Sequence, residues 1–457
     1  LFQAGAMLLR FMRPRPREPW RQSSVTRRRL RPDPFSLLKA ALPLILTFVA
    51  CLAPVTHAAA TAAWSPPRFP AQPTEVVIIG TRHSAQLEYE DHAPARIRAL
   101  LNRIDPAAVG IETTPAWFAE ELYFEIAYES YGVAVPWARE KGKEARAIDW
   151  QAGTLEFVSA LSWPNTGELR DVAEERLPLD QWDMRELLFA DAPEWRDAVH
   201  REYAFAAPDR NPWNEATRRY MLYRNLMIAR EIANLAADYD GQRIAVLIGA
   251  AHKPDLDLFL GTVPNIVIRH ASEWWGEGLT QEEVAAEERR LDHLAILWYN
   301  LASGRVLPAV ADLARMDALL SNLEAEGVFD PEVQFLRAQW HAAAGDVEEA
   351  FKLFRFLAWE AQWEDRPFTY PDRGLNRRMI EWNAREAESL GFPAQWEPGL
   401  GNVISRVGNL TIRQRVLLEL AQQALDDEAR RRARTELESE DFNARQREEL
   451  HRLLEAQ

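Results

Sequence analysis

A set of short β-branched runs, each ending at a glycine or an acid, constrains this chain more than any other feature. Glu75–Ile79 runs into Gly80, and Ala107–Ile111 into Glu112. Ala145–Ile148 runs into Asp149, Arg243–Ile248 into Gly249, and Ile266–Ile268 is a shorter fifth run. Apolar runs of this length, bounded by turn residues, suit strands buried on both faces. Helical patterns lie between them. His92–Arg103 carries Ile97, Leu100 and Leu101 at helical spacing, and Pro115–Tyr131 reads as one helix with an aromatic face. Asn214–Asp238 reads as a single long helix ending before Gly241, and Asp255–Leu260 as a short one. Buried strands separated by helices favour parallel pairing through helical crossovers. The expected fold class is α/β, a mainly parallel sheet with flanking helices.

The strands stop after His270. Residues 280–457 read as an all-α region, with helices at 281–303, 307–326, 331–343, 346–363 and 374–390, and over 411–455 in pieces. Gly345-Asp346 separates two amphipathic segments in a hairpin resembling one tetratricopeptide unit, without the repeat period of an array. Arg366–Gly374 reads as a loop, and residues 152–213 as helical and loop-rich. The 17 tryptophans suit helix-packed cores that need large apolar fillers.

The N-terminus reads as an address. Arg27, Arg28 and Arg29 precede an uncharged run from Ala40 to Ala53, and small residues follow to Ala60. This is the order of an export signal, with cleavage expected after Ala58. Residues 1–58 are then a signal peptide, 59–73 a linker, 74–275 the α/β domain and 280–457 the helical domain. The expected location is periplasmic or secreted. In a lipid-anchored alternative, Phe48-Val49-Ala50-Cys51 serves as a lipobox. Cys51 is the only cysteine, so the body has no disulfide, thiolate nucleophile or cysteine–zinc site. Net charge is −15 even with that basic leader, and so acidic a body argues against a nucleic-acid partner.

Chemistry is expected where the strands end. Gly80-Thr81-Arg82-His83, Val109-Gly110-Ile111-Glu112 and Gly249-Ala250-Ala251-His252 each sit at the carboxyl end of an expected strand. Open α/β sheets bind ligands there. Two imidazoles and a carboxylate at one sheet edge suit a divalent ion with open positions for water. Asp149, also at a strand end, is a fourth candidate ligand.

These motifs, in this order, resemble the TraB/TIKI branch of the erythromycin-esterase/ChaN-like superfamily. The resemblance rests on two GxxH motifs, GTRH at 80–83 and GAAH at 249–252, with VGIE at 109–112 between them. YRNLMIAREIANLA, placed before GQRIAVLIGAAH, strengthens it. It covers roughly residues 74–270 and implies an EreA/ChaN-like fold. It also implies metal-dependent hydrolysis of an ester or amide (peptide) bond by a metal-activated water. By resemblance, His83, Glu112, His252 and Arg224 are catalytic. The resemblance makes His83, Glu112 and His252 the metal ligands, of Mn, Co or Zn, and Asn225 a substrate-binding residue; Asp149 joins the ligands on its strand-end position, and Arg82 joins Asn225 in binding substrate on its charge. Arg82, beside the first histidine, departs from a simple cation site and suits an anionic substrate group. The substrate is a peptide or a small-molecule ester. Two alternatives stay open: an extracytoplasmic protein that binds haem, iron or a peptide without catalysis, and a scaffold whose C-terminal helices hold a protein partner.

Overall fold

The computed structural model describes residues 68–150 (except 84 and 124–126), residue 191, residues 212–370 (except 277, 305 and 307–310) and residues 410–455 (except 443). The expected signal peptide, most of the linker, most of the expected segment 152–213 and the expected helix 374–390 lie outside the described residues. No helix among the described residues is long and apolar enough to cross a membrane.

All five expected strands form. They are β1 (Thr74–Thr81), β2 (Ala108–Ile111), β3 (Glu144–Ala147), β4 (Arg243–Gly249) and β5 (Ile266–His270). They make one parallel sheet in the order β3-β2-β4-β1-β5. β4 enters last among the inner strands and lies between β1 and β2. Its register sets Gly249 opposite Thr81, and Leu247 opposite Ile111. The carboxyl ends of β1, β2, β3 and β4 are therefore neighbours.

Period-two alternation divides the apolar side chains between two faces. Val77, Ile79, Val109, Ile111, Ala245 and Leu247 enter one core, and Val76, Ile78, Ala108, Ile244, Val246 and Ile248 enter the other. The second core is closed by α2 (Pro212–Asp238), through Ile228, Ile232 and Leu235, and by α3 (Lys253–Leu260), through Leu256 and Leu260. The first core is covered by α1 (Pro94–Ile104), through Ile97, Leu100, Leu101 and Ile104.

That same first core runs on into the C-terminal helices. Those are α4 (Arg290–Leu297), α5 (Leu313–Glu324), α6 (Pro331–Ala343), α7 (Val347–Arg355), α8 (Ile412–Gln423), α9 (Asp427–Ser439) and α10 (Ala444–Glu455). Leu297, Phe335, Leu336, Phe354 and Leu417 belong to one cluster with the strand residues. Residues 67–457 accordingly form one unit. One apolar cluster therefore includes residues on both sides of positions 275–280. The α6–α7 hairpin matches its expected position, and Gly345 turns it at a φ of +86°.

The expected long helix over Pro115–Tyr131 is broken. An α-helical turn ends at Ala119, Glu121 takes a left-handed backbone at φ +52°, and Glu129–Ala134 forms a π-helical turn. A Cβ at Gly132 would lie 2.4 Å from the Tyr128 ring, so the turn closes over that ring only with glycine there. The expected helix 281–303 also divides, into Gln281–Ala285, α4 and a π-helical turn at Trp298–Ala302.

Phe335 is fully buried in the shared core. Phe335→Ala is expected to cost about 3–5 kcal/mol in denaturant unfolding. Amide exchange in β1 and in α4 should accelerate together. Acceleration confined to the helices would mean two separately stable cores.

Candidate metal centre

Each candidate side chain reaches the site from the end of a strand. β1 ends at Thr81, and His83 follows two residues on with a left-handed φ of +48°. That conformation is uncommon for a side chain other than glycine and turns the imidazole back over the sheet end. Glu112 follows β2 directly. Asp149 follows β3, and its N–H donates to the Thr113 carbonyl at 3.0 Å. Gly249 closes β4 and leads through a single turn to His252. A Cβ on Gly249 would stand 3.0 Å from His83 Nε2 and 3.3 Å from Glu112 Oε2, so the absence of a side chain makes room for both.

Glu112 is the centre of the arrangement. Its Oε2 accepts from the Gly249 N–H at 2.7 Å and lies 3.9 Å from His83 Nε2. Its Oε1 accepts from Arg224 Nη2 at 2.8 Å and lies 3.3 Å from His252 Nε2. Burial alone would raise this carboxyl, but His252, His83 and Arg224 together hold it well below the usual carboxylate range.

Arg224 comes from α2 and forms a fork with Asp149. Nε donates to Oδ1 and Nη2 to Oδ2, both at 2.8 Å. Burial alone would lower the guanidinium, yet Asp149 and Glu112 raise it. Asp149, expected as a metal ligand, has both oxygens committed to this cation. It stands outside the group of side chains whose ligand atoms converge.

That group is His83, Glu112 and Glu129, whose ligand atoms all lie within 4.8 Å of one another. It could hold a metal ion. One imidazole and two carboxylates are donors that divalent ions accept. His252, also expected as a ligand, stands on the other side of Glu112. Arg224 Nη1 lies 3.3 Å from its Nε2, and a guanidinium there opposes a second cation at that nitrogen.

Glu129 was not among the sequence-derived candidates. It sits in the π-helical turn, fully buried. Its Oε1 lies 2.6 Å from His83 Nδ1 and accepts from Thr81 Oγ1 at 3.2 Å. Its Oε2 accepts from Gln86 Nε2 at 2.9 Å. Nothing at 129 marks a strand end or a motif, and the aromatic spacing around it suggests an ordinary helix. A buried acid inside an apolar helical stretch was the available signal. The turn is pinned from the helical region. The Tyr128 hydroxyl donates to Asp292 at 2.7 Å, and Arg98 pairs with Asp292 and donates to the Gly132 carbonyl at 3.2 Å. Burial and the Asp292 carboxylate hold the Tyr128 phenol well above its ordinary value.

Asn225, expected to bind substrate, faces inward instead. Its Oδ1 lies 2.5 Å from His252 Nδ1, and its Nδ2 donates to Asp255 at 2.7 Å. The asparagine oxygen is thereby turned toward the imidazole, so His252 Nδ1 must carry the hydrogen. Its Nε2 is left facing Glu112 and Arg224. Arg82 is half-buried, makes no hydrogen bond or ion pair with the cluster, and acts electrostatically on Tyr89.

Compared with known proteins, the chain matches no family model, no curated protein and no solved structure at a significant level.

In the ion-free protein, burial alone would lower the His83 imidazole, but Glu129 and Glu112 outweigh it and raise it from 6.5 to about 9. A group raised on folding binds its proton more tightly in the folded state. Its stabilisation is complete below pH 6.5 and is lost as pH rises through about 9. Denaturant midpoints measured across that window should fall more steeply for wild type than for His83→Ala. Parallel curves would show that His83 carries no such linkage.

Proposed function

We propose that this chain is an extracytoplasmic metal-dependent hydrolase of an ester or amide bond, of the TraB/TIKI type within the erythromycin-esterase/ChaN-like superfamily. The observation that carries the reading is the convergence of His83, Glu112 and Glu129 within 4.8 Å, next to a second imidazole of defined tautomer. The export assignment rests on the pattern of residues 1–58 alone.

His83, Glu112 and Glu129 would hold the ion, and their mixed nitrogen and oxygen donors suit Mn, Co or Zn. Such an ion supplies Lewis acidity for attack of water on an acyl carbon. The protein's own groups do the rest. Asn225 and Asp255 hold the His252 ring so that Nε2 faces the centre. There it can take a proton from the attacking water and return it to the leaving group. Arg224 holds Glu112 and Asp149 in place. Arg82, half-buried and adjacent to His83 in sequence, suits an anionic group on a peptide or ester substrate. The two carboxylates favour a small divalent ion over haem.

Metal analysis after incubation with Mn, Co and Zn should find a bound ion in wild type and none in folded Glu112→Gln. Asn225→Ala should keep the ion yet lose 10²-fold or more of turnover on a panel of esters and short peptides, roughly the share of one general base. A wild-type protein that takes up none of the three metals would sink the metal reading.

A further inference from the structure

Gln86 is buried without exposure, on the single helical turn Ala85–Glu88 that follows His83. Its Nε2 donates to Glu129 Oε2 at 2.9 Å. Its Oε1 is buried, and no described residue donates to it. The amide cannot be turned over to relieve this, because its oxygen would then face the Glu129 carboxylate. An acceptor buried without a donor costs stability that an apolar side chain of the same size would avoid.

The turn that carries Gln86 is clamped from the helical region. Asn300 Nδ2 donates to the Leu87 carbonyl at 2.7 Å, and Arg315 Nη1 donates to the Glu88 carbonyl at 2.9 Å. Glu129 is in turn bound by groups that leave it one orientation. Gln86 holds Oε2, while Thr81 and His83 meet Oε1. The carboxylate can neither rotate nor withdraw while the amide is in place. The His83 ring is fixed with it, through the 2.6 Å contact at Nδ1.

We infer that Gln86 is a positioning residue for the metal centre, acting through Glu129 to set the His83 ring and the second carboxylate. The claim rests on the proposed metal reading for its consequence, but not for its geometry. Hydrogen-bonded partners of metal-binding carboxylates and imidazoles commonly change metal affinity 10–100-fold when removed. A packing role would not be felt at the bound ion or at the His83 ring, whereas loss of the amide should disturb both.

Gln86→Met tests this by calorimetric titration with Mn and Zn, by thermal melting, and by the His83 Nδ1–H proton resonance of the ion-free protein. Affinity is expected to fall about 10–100-fold, the downfield His83 resonance to move or vanish, and the melting temperature to drop because the buried Glu129 Oε2 loses its donor. Unchanged affinity with an unchanged resonance would overturn the inference, even with a lower melting temperature. If wild type binds neither ion, the metal reading fails by itself, and the resonance alone decides whether Gln86 positions Glu129 and His83. If Gln86→Met does not fold, the Gln86 side-chain amide protons of wild type are followed during ion addition. Protection and a shift on binding support the role, and no response overturns it.

Discussion

A buried, ionised carboxylate without partners is among the least stable things a protein interior can contain. Glu112 sits at the carboxyl end of a parallel sheet, 5% exposed, and stays charged because both oxygens are engaged. One oxygen meets a backbone N–H and lies toward His83. The other meets Arg224 and lies toward His252. Much of the local architecture is the set of partners this charge requires. Arg224 cannot be spared, because Asp149 also depends on it. Removing one member of such a buried pair typically costs about 3–5 kcal/mol. A group expected to act on substrate is therefore first of all the counter-ion that lets the site exist.

The two histidines have unlike surroundings. His83 Nδ1 meets a carboxylate, and His252 Nδ1 meets a neutral amide. A carboxylate partner stabilises an imidazolium, whereas an amide oxygen fixes a tautomer without adding a charge. His83 accordingly tends to hold a cation, either its own proton or an ion in its place. His252 is held in one tautomer, with Nε2 turned toward Glu112 and Arg224. Environments that set two like groups apart are a common way for one site to divide an acid–base task.

The C-terminal helices take part in this division. Asp292 on α4 holds Tyr128, next to Glu129 in sequence, and Asn300 and Arg315 hold the turn that carries Gln86. Trp298 and Tyr370 pack their rings edge-on, and Tyr370 also meets the Tyr128 ring. The π-helical turn that presents Glu129 is thus enclosed by residues distant from it in the chain. A scaffold region that stood apart from the α/β part could not supply these contacts.

Local pattern alone determined the five strands, the parallel sheet, the helices that close its two faces, and the placement of His83, Glu112, Asp149 and His252 at strand ends. Those features follow from apolar runs and turn residues a few positions apart, which a linear reading can see. The roles within the site followed from tertiary structure. Asp149 binds Arg224, and Asn225 turns inward to His252, because α2 crosses the sheet end at a particular height. Glu129 enters the cluster because the helix expected over 115–131 breaks at Glu121 and resumes as a π-helical turn over the Tyr128 ring. Gln86 reaches that carboxylate because contacts from residues 300 and 315 hold its turn in place. Such contacts join residues far apart in the chain, and their energy is spread over partners that no short window of sequence contains.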